Sequence, residues 1–331
     1  RTNPLELALA EGQFNHLAHL TGTKVIHVSE RDTQLPSVPK RPNEFVNTWS
    51  VEGLYEEGVA PAELGWGTHE RALPVDAHEH ADGPRNQICI ARPGMETWVR
   101  SWVPSGEIRG MVIRHGEAFT MSDHLTTRNA DGSVRYRPTV HYAYCPTDAA
   151  IASLRELSAR NWTLQDELRI MNDEIIDGED RLGVLLMGHP YTAWWTGSLL
   201  SIHDARRLAP GQSATTLQVA AGVLAACTWI VANPDRGINV PDDLPWRDVL
   251  AVAEPFLGEV LQLTLLYNTG AAWGMGAEIT PVVTCLQIAI VIGVIVFAVR
   301  SVRSPWYALA LGLIMGGALG NIHDRLLRAP G

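Results

Sequence analysis

The feature that most limits what this chain can fold into is a change of character near residue 258. The 73 residues from 259 to 331 carry only seven charges, whereas residues 1–258 carry 33 acids against 22 bases. A segment so poor in charge makes an unsuitable aqueous surface, and one so rich in charge cannot lie in hydrocarbon. Two segments of different origin are therefore expected, an α+β domain over 1–258 and a membrane hairpin over 259–331.

The hairpin follows from length. Ile279 to Val299 is 21 residues without charge and Ser304 to Ile322 is 19 more, joined by the basic hinge Arg300 to Arg303. At 1.5 Å rise per residue, each spans a hydrocarbon core of about 30 Å. Gly312, Gly316 and Gly320 fall four apart, the small-residue spacing that lets membrane helices approach closely.

Before residue 258 the apolar runs are short and rich in β-formers. KVIHV (24–28), EFVNTWSV (44–51), QICIA (87–91), TWVRSWV (97–103), GMVIRH (110–115), RLGVLLMGH (181–189) and TAWWTGSLLS (192–201) read as strands between Pro, Gly and Asp. Residues 147–160 place Ile151, Leu154 and Leu157 at helical spacing behind a Thr or Asp cap. Residues 216–232 are apolar all round, but Gln218, Thr228 and the stop at Asn233-Pro234 favour a buried helix over a membrane span. Strands and helices without regular βαβ alternation give an α+β class.

The acidic surface of 1–258 excludes nucleic acid as a partner and favours cationic ligands. Cys89, Cys145, Cys227 and Cys285 form no close pair, which fits a reducing, cytoplasmic setting for this part. No signal peptide precedes it, and the opening Arg1 suggests a fragment. His78 and His80 lie in the polar stretch 74–83, where a solvated loop outweighs a metal pair for want of a further ligand at recognisable spacing. No metal is expected.

Five residues carry candidate chemistry. Glu30 continues the face of Ile26 and Val28 at a strand end, placing a carboxylate beside apolar side chains where an ammonium is a natural partner. His115 and Glu117, two apart on an extended segment, project together and can hold an amine and move its proton. Trp49 shares a face with Phe45 and Asn47 and offers a cation–π surface, while Glu57, in the acidic turn LYEEG, attracts a distal ammonium. Taken singly, each has a structural alternative: core for Trp49, a satisfied buried histidine for His115, solvated surface for Glu57.

The motifs HVSERDTQ (27–34), FVNTWSVEG (45–53), AELGWGTHE (62–70), VIRHGEAFTMSD (112–123) and HYAYCP (141–146) together resemble bacterial homospermidine synthase over residues 1–258. The resemblance implies a saccharopine-dehydrogenase-like fold, a Rossmann NAD domain with an inserted α+β domain that shapes the substrate pocket and the homodimer contacts. It implies NAD as cofactor and putrescine as substrate: putrescine is oxidised to an imine, a second diamine adds as ammonia leaves, and the retained hydride reduces the new Schiff base. It also places Glu30, His115 and Glu117 as catalytic and Trp49 and Glu57 as substrate-binding residues. No G-x-G-x-x-G unit occurs between a strand and a helix, so most of the Rossmann half is expected to be lacking and no cofactor-binding residue can be named.

The tail motifs VLQLTLLYNTGAAWGMG (260–276) and GGALGNIHDRL (316–326) look like lipoprotein signal peptidase, with Trp273 and Ile322 as mild departures. The resemblance implies a bacterial inner-membrane location, Asn268 and Asn321 near a site, and Asp324 as one of two catalytic aspartates. Aspartic proteolysis needs a second carboxyl, and no residue here matches it. Asp324 also has the plain reading of a charge at the water boundary.

Overall fold

A computed structural model of the chain describes residues 22–81, 85–189 and 192–258, together with residue 9, the pair 264–265 and residue 292. The chain divides into two compact units, Arg1–Leu266 and Tyr267–Gly331. Apart from residue 292, the expected spans 279–299 and 304–322, and with them Asn268, Asn321 and Asp324, lie outside the described residues.

Besides three short two-stranded pairs, ten of the described strands in the first unit build one mixed sheet. They are β1 (Val25–Asp32), β2 (Pro61–Gly65), β3 (Ala77–Glu79), β4 (Gln87–Pro93), β5 (Trp98–Val103), β6 (Gly106–Met111), β7 (Thr139–Cys145), β8 (Glu179–Met187), β9 (Ala193–Ser201) and β10 (Thr264–Leu265). The order is β10-β9-β8-β1-β7-β2-β4-β3, with β6 pairing both β7 and β5. Only the β1 and β7 neighbours run parallel within it; β1 is antiparallel to β8 on its other side. Buried on both faces, β1 reads as a nearly continuous run of core positions. Within the sheet its Glu30 stands level with Tyr144 of β7 and Leu182 of β8, and its Asp32 with Asp180 of β8.

Register sorts the two faces. Ile26, Val28, Tyr142, Tyr144, Leu182 and Val184 belong to one buried apolar cluster. On the other face, the rings of His27 and His141 lie 4.1 Å apart, His27 Nδ1 meets Ser101 Oγ at 2.9 Å, and the Trp195 indole N–H donates to Ser29 Oγ. Burial lowers the pKa of both histidines, so this face keeps them neutral.

Among the described residues the α-helices of more than one turn are α1 (Val51–Val59), α2 (Glu117–His124), α3 (Asp148–Ala159), α4 (Ile202–Leu208), α5 (Ala214–Ala232) and α6 (Trp246–Ala253). Two of them correct the sequence reading. The run 44–51 is a strand only to Asn47, because the Ser50 hydroxyl accepts from the Gly53 N–H and starts α1, so Glu57 sits on a helix instead of a turn. The run 110–115 leaves the sheet after Met111, and Glu117 opens α2 instead of prolonging an extended segment. A third difference is β3, a short edge strand within the stretch read as a loop. A fourth is β10, whose residues pair with Trp194 and Trp195 of β9 although they follow position 258.

Helix α5 is long and apolar enough to cross a membrane by length and composition. It nevertheless seats one face on the sheet. The fully buried Gln218 donates through Nε2 to the Asp180 carbonyl at 3.1 Å and to Ser198 Oγ at 2.7 Å. A buried amide with such partners fixes the helix rotation, since leaving it unpaired costs about 1–3 kcal/mol. The opposite side leaves Val219, Val223, Leu224 and Ile230 exposed.

Candidate active site

A cavity of about 950 Å³ opens between the sheet and α5. Its floor is the C-terminal end of β1 and β7, with Glu30, Tyr142 and Tyr144, and one wall is the Val219, Val223 and Leu224 side of α5. Trp49, Glu57 and His115 come in from the connections on the other side. Of the residues proposed from sequence in this unit, Glu30, Trp49, Glu57 and His115 therefore line one cavity. Glu117 does not line it. Fully buried, it bonds His115 Nδ1 from behind.

Each side chain is held by a partner. The Trp49 indole N–H donates to the Tyr144 hydroxyl at 2.9 Å, which fixes the ring just past the end of its strand. A Cβ on Gly53 would stand 2.6 Å from Trp49 Cζ3, so α1 needs glycine where the indole passes. The Tyr142 hydroxyl donates to Glu30 Oε2 at 2.5 Å, and the His115 and Tyr142 rings lie 4.8 Å apart. On its Nε2 side His115 faces Glu57 Oε1 at 3.9 Å. A ring flanked by two carboxylates holds its proton more tightly: burial works against the cation, but Glu117 and then Glu57 outweigh it and raise the His115 pKa.

Three carboxyls cluster here, Glu30 lining the cavity and Asp32 and Asp180 fully buried beside it. Burial, reinforced by Asp32, pushes Glu30 up from an ordinary 4.5 to about 8, against the lowering effect of the Tyr142 hydrogen bond. Asp32 is also raised by burial, although it accepts from Thr48 Oγ1, Thr215 Oγ1 and both Gln34 N–H groups. Asp180 is raised well above the usual carboxylate range by burial and by its two acidic neighbours. Three such groups cannot all ionise without a compensating cation. The cavity lining holds no Arg or Lys, and His115 is the cationic group it offers Glu30, so any further compensating charge comes with a ligand.

Sequence reasoning missed Tyr142, Tyr144, Asp32 and Asp180. Tyr142 and Tyr144 alternate in HYAYC, a period-2 signal that was available. The Asp32–Asp180 juxtaposition arises from strands 148 positions apart in sequence and leaves no local trace.

Comparison with known proteins places this geometry. The saccharopine dehydrogenase C-terminal domain model matches residues 11–263. The chain belongs to that family. Within it, the homospermidine synthase of Blastochloris viridis is 48% identical over 251 residues, covering 75% of this chain and 52% of the relative. The crystal structure of the Legionella pneumophila homospermidine synthase in complex with NAD superposes with a TM-score of 0.73 at 44% identity, over 81% of this chain and 57% of that one. The chain thus spans about half the length of the family relatives it matches. Residues 228–329 match the model of signal peptidase II, and the lipoprotein signal peptidase of Rhodococcus jostii is 47% identical over 102 residues, 50% of its length.

The cavity's chemistry suits one part of an NAD-dependent family site and not another. Its carboxyls, indole and tyrosines suit a cationic ligand. The pyrophosphate of a dinucleotide meets no Lys or Arg there, only His115 already flanked by carboxylates, and would face Glu30 and Glu57. The described cavity residues therefore do not fit the phosphates of NAD.

Proposed function

We propose that the first unit is the diamine-binding part of a homospermidine synthase, joined to a partial lipoprotein signal peptidase segment. The domain boundary falls at 258/259, the synthase-like part pairs as a homodimer in the cytoplasm, and the tail is held in the bacterial inner membrane. NAD is the oxidant, bound through its phosphates by residues other than those of the described cavity. The observation that carries this reading is the buried carboxyl floor beneath an indole, in a cavity without any lysine or arginine.

The chain's own residues divide the work as follows. Putrescine enters doubly protonated, and one ammonium settles on Glu30, which releases its proton as the cation arrives. The second ammonium lies between Glu57 and the Trp49 face, where cation–π attraction supplies about 0.5–2 kcal/mol. His115, fixed by Glu117 at Nδ1, gives up a proton at Nε2 and takes it back from the amine nitrogen. The apolar side of α5 keeps water from the cationic imine formed between the diamines.

Calorimetry of the full chain with putrescine tests the binding, and mass spectrometry after incubation with putrescine and NAD tests turnover. We expect saturable binding that is lost in Glu30→Gln and weakened in Trp49→Ala. Binding without product would leave a membrane-tethered polyamine-binding protein, and no binding in the wild type would refute the reading. The signal peptidase likeness supports a second activity class, an aspartic endopeptidase acting through Asp324 with Asn268 and Asn321 beside it. Prolipoprotein cleavage abolished by Asp324→Asn would establish that class, and we expect no cleavage.

A further inference from the structure

Away from the cavity, the edge of the sheet gathers a separate set of side chains. In β4, Cys89 is the register partner of Glu63 in β2 on one side and of His78 in β3 on the other. Partners directly across antiparallel strands share a face, so Glu63, Cys89 and His78 stand in a row on it. His80, two residues beyond His78, is tied down by its N–H bond to the Gln87 carbonyl at 3.2 Å. One ligand atom each from Glu63, His80 and Cys89 lies within 4.8 Å of the other two, with Nε2 of His80 3.9 Å from Glu63 Oε1.

One observation shows that this cluster is not simply satisfied packing. His80 Nε2 is buried without a hydrogen-bond partner, although the side chain as a whole is 39% exposed. Glu63, at 5% side-chain exposure, is a buried carboxylate whose charge is met by the Gln87 amide and by Arg114 Nε at 3.3 Å. Arg114 is itself more exposed than buried.

We propose that Glu63, His80 and Cys89 form a structural site for a zinc-class divalent cation, with His78 completing four-coordination. The donor set decides the class: thiolate and imidazole select a borderline-soft metal, whereas magnesium and calcium prefer all-oxygen sites. In a tetrahedral zinc site with bonds of about 2.0–2.3 Å, ligand atoms lie about 3.3–3.8 Å apart, so small side-chain adjustments close the cluster. Burial, then Glu63, raises the Cys89 thiol above its ordinary pKa, so the metal takes the place of the thiol proton on binding. Arg114 must leave Glu63 as the dication arrives. The bound ion staples the three-residue edge strand β3 to β4 and β2.

The full chain, stripped with chelator and titrated with Zn²⁺ against a chromophoric competitor, tests this. Co²⁺ serves as the spectroscopic probe of thiolate ligation. We expect one zinc per chain, a thiolate-to-cobalt charge-transfer band lost in Cys89→Ser and kept in Cys227→Ser, and affinity weakened about 10–100-fold or more in His80→Ala. Arg114→Ala should tighten binding by removing the competing cation. If Cys89→Ser does not fold, the more exposed His78→Ala and His80→Ala variants carry the same comparison. Failure of the wild type to hold zinc against the competitor overturns the proposal, as does an unchanged cobalt spectrum in folded Cys89→Ser.

Discussion

Glu117 bonds His115 at Nδ1 while Glu57 faces the same ring at Nε2 from 3.9 Å, so one imidazole bridges a buried and a cavity-lining carboxylate. Removing the buried charge should expose the opposing effect of burial. In Glu117→Gln the His115 pKa is expected to fall, and histidine NMR titration of the variant reads the direction. If the family reaction proceeds, turnover should drop by about 100-fold or more, the usual worth of a positioned proton-transfer group. An unshifted titration would remove Glu117 from this role.

Glu30 gives an unusual pH dependence to stability. Its folded pKa of about 8 exceeds the ordinary 4.5, so between these values the folded state binds the extra proton. Stability from this group is therefore fully present below pH 4.5 and is lost as pH rises toward 8, with a slope of up to about 1.4 kcal/mol per pH unit. Glu30→Gln should flatten that slope and raise the melting temperature of the ligand-free chain at pH 8 while abolishing diamine binding. A wild-type melting temperature that climbs through this interval and does so equally in the variant would contradict the assignment.

Tyr142 works on the same carboxyl in the other direction. Its hydrogen bond favours the Glu30 anion, so Tyr142→Phe should raise the Glu30 pKa further. Putrescine affinity, which requires the anion, should then rise with pH along a curve displaced to the alkaline side. Calorimetric titrations from pH 6 to pH 9 would detect the displacement, and coincident curves would show that the bond carries no weight.

Gly53 permits the Trp49 pose. Alanine there adds helix propensity, worth up to about 1 kcal/mol in α1, but its Cβ meets the indole at 2.6 Å. The expected result is a helix that stays folded and a displaced tryptophan. Putrescine affinity should fall about 2–30-fold, the equivalent of the lost cation–π attraction. Tryptophan fluorescence and calorimetry on the same sample separate displacement from unfolding.

What could be read from the chain before folding was the alternation that puts Glu30 at the end of an apolar strand and the helical spacing of 148–159. The apolar run at α5 was legible as a buried helix, but not that half its circumference would face the cavity and solvent. Glu57 and Glu117 were legible as acids in the right stretches, yet their settings were not: a cap at Ser50 and a helix start at Glu117 override the period-2 pattern on either side. Asp180 opposite Asp32, and Cys89 between Glu63 and His78, depend on strand order. Such neighbours are products of sheet topology, which local sequence does not encode.

The same-direction pairing of β1 with β7 shapes how the cavity comes into being. A tight hairpin cannot join such strands, so the polypeptide departs after Asp32 and rejoins its neighbour only at Thr139. Trp49, Glu57, His115 and Glu117 are all borne on that detour, whereas Glu30 waits at its point of departure. A nascent chain halted before β7 would own every one of these groups and still possess no binding chamber, which makes assembly of the site a late event in folding.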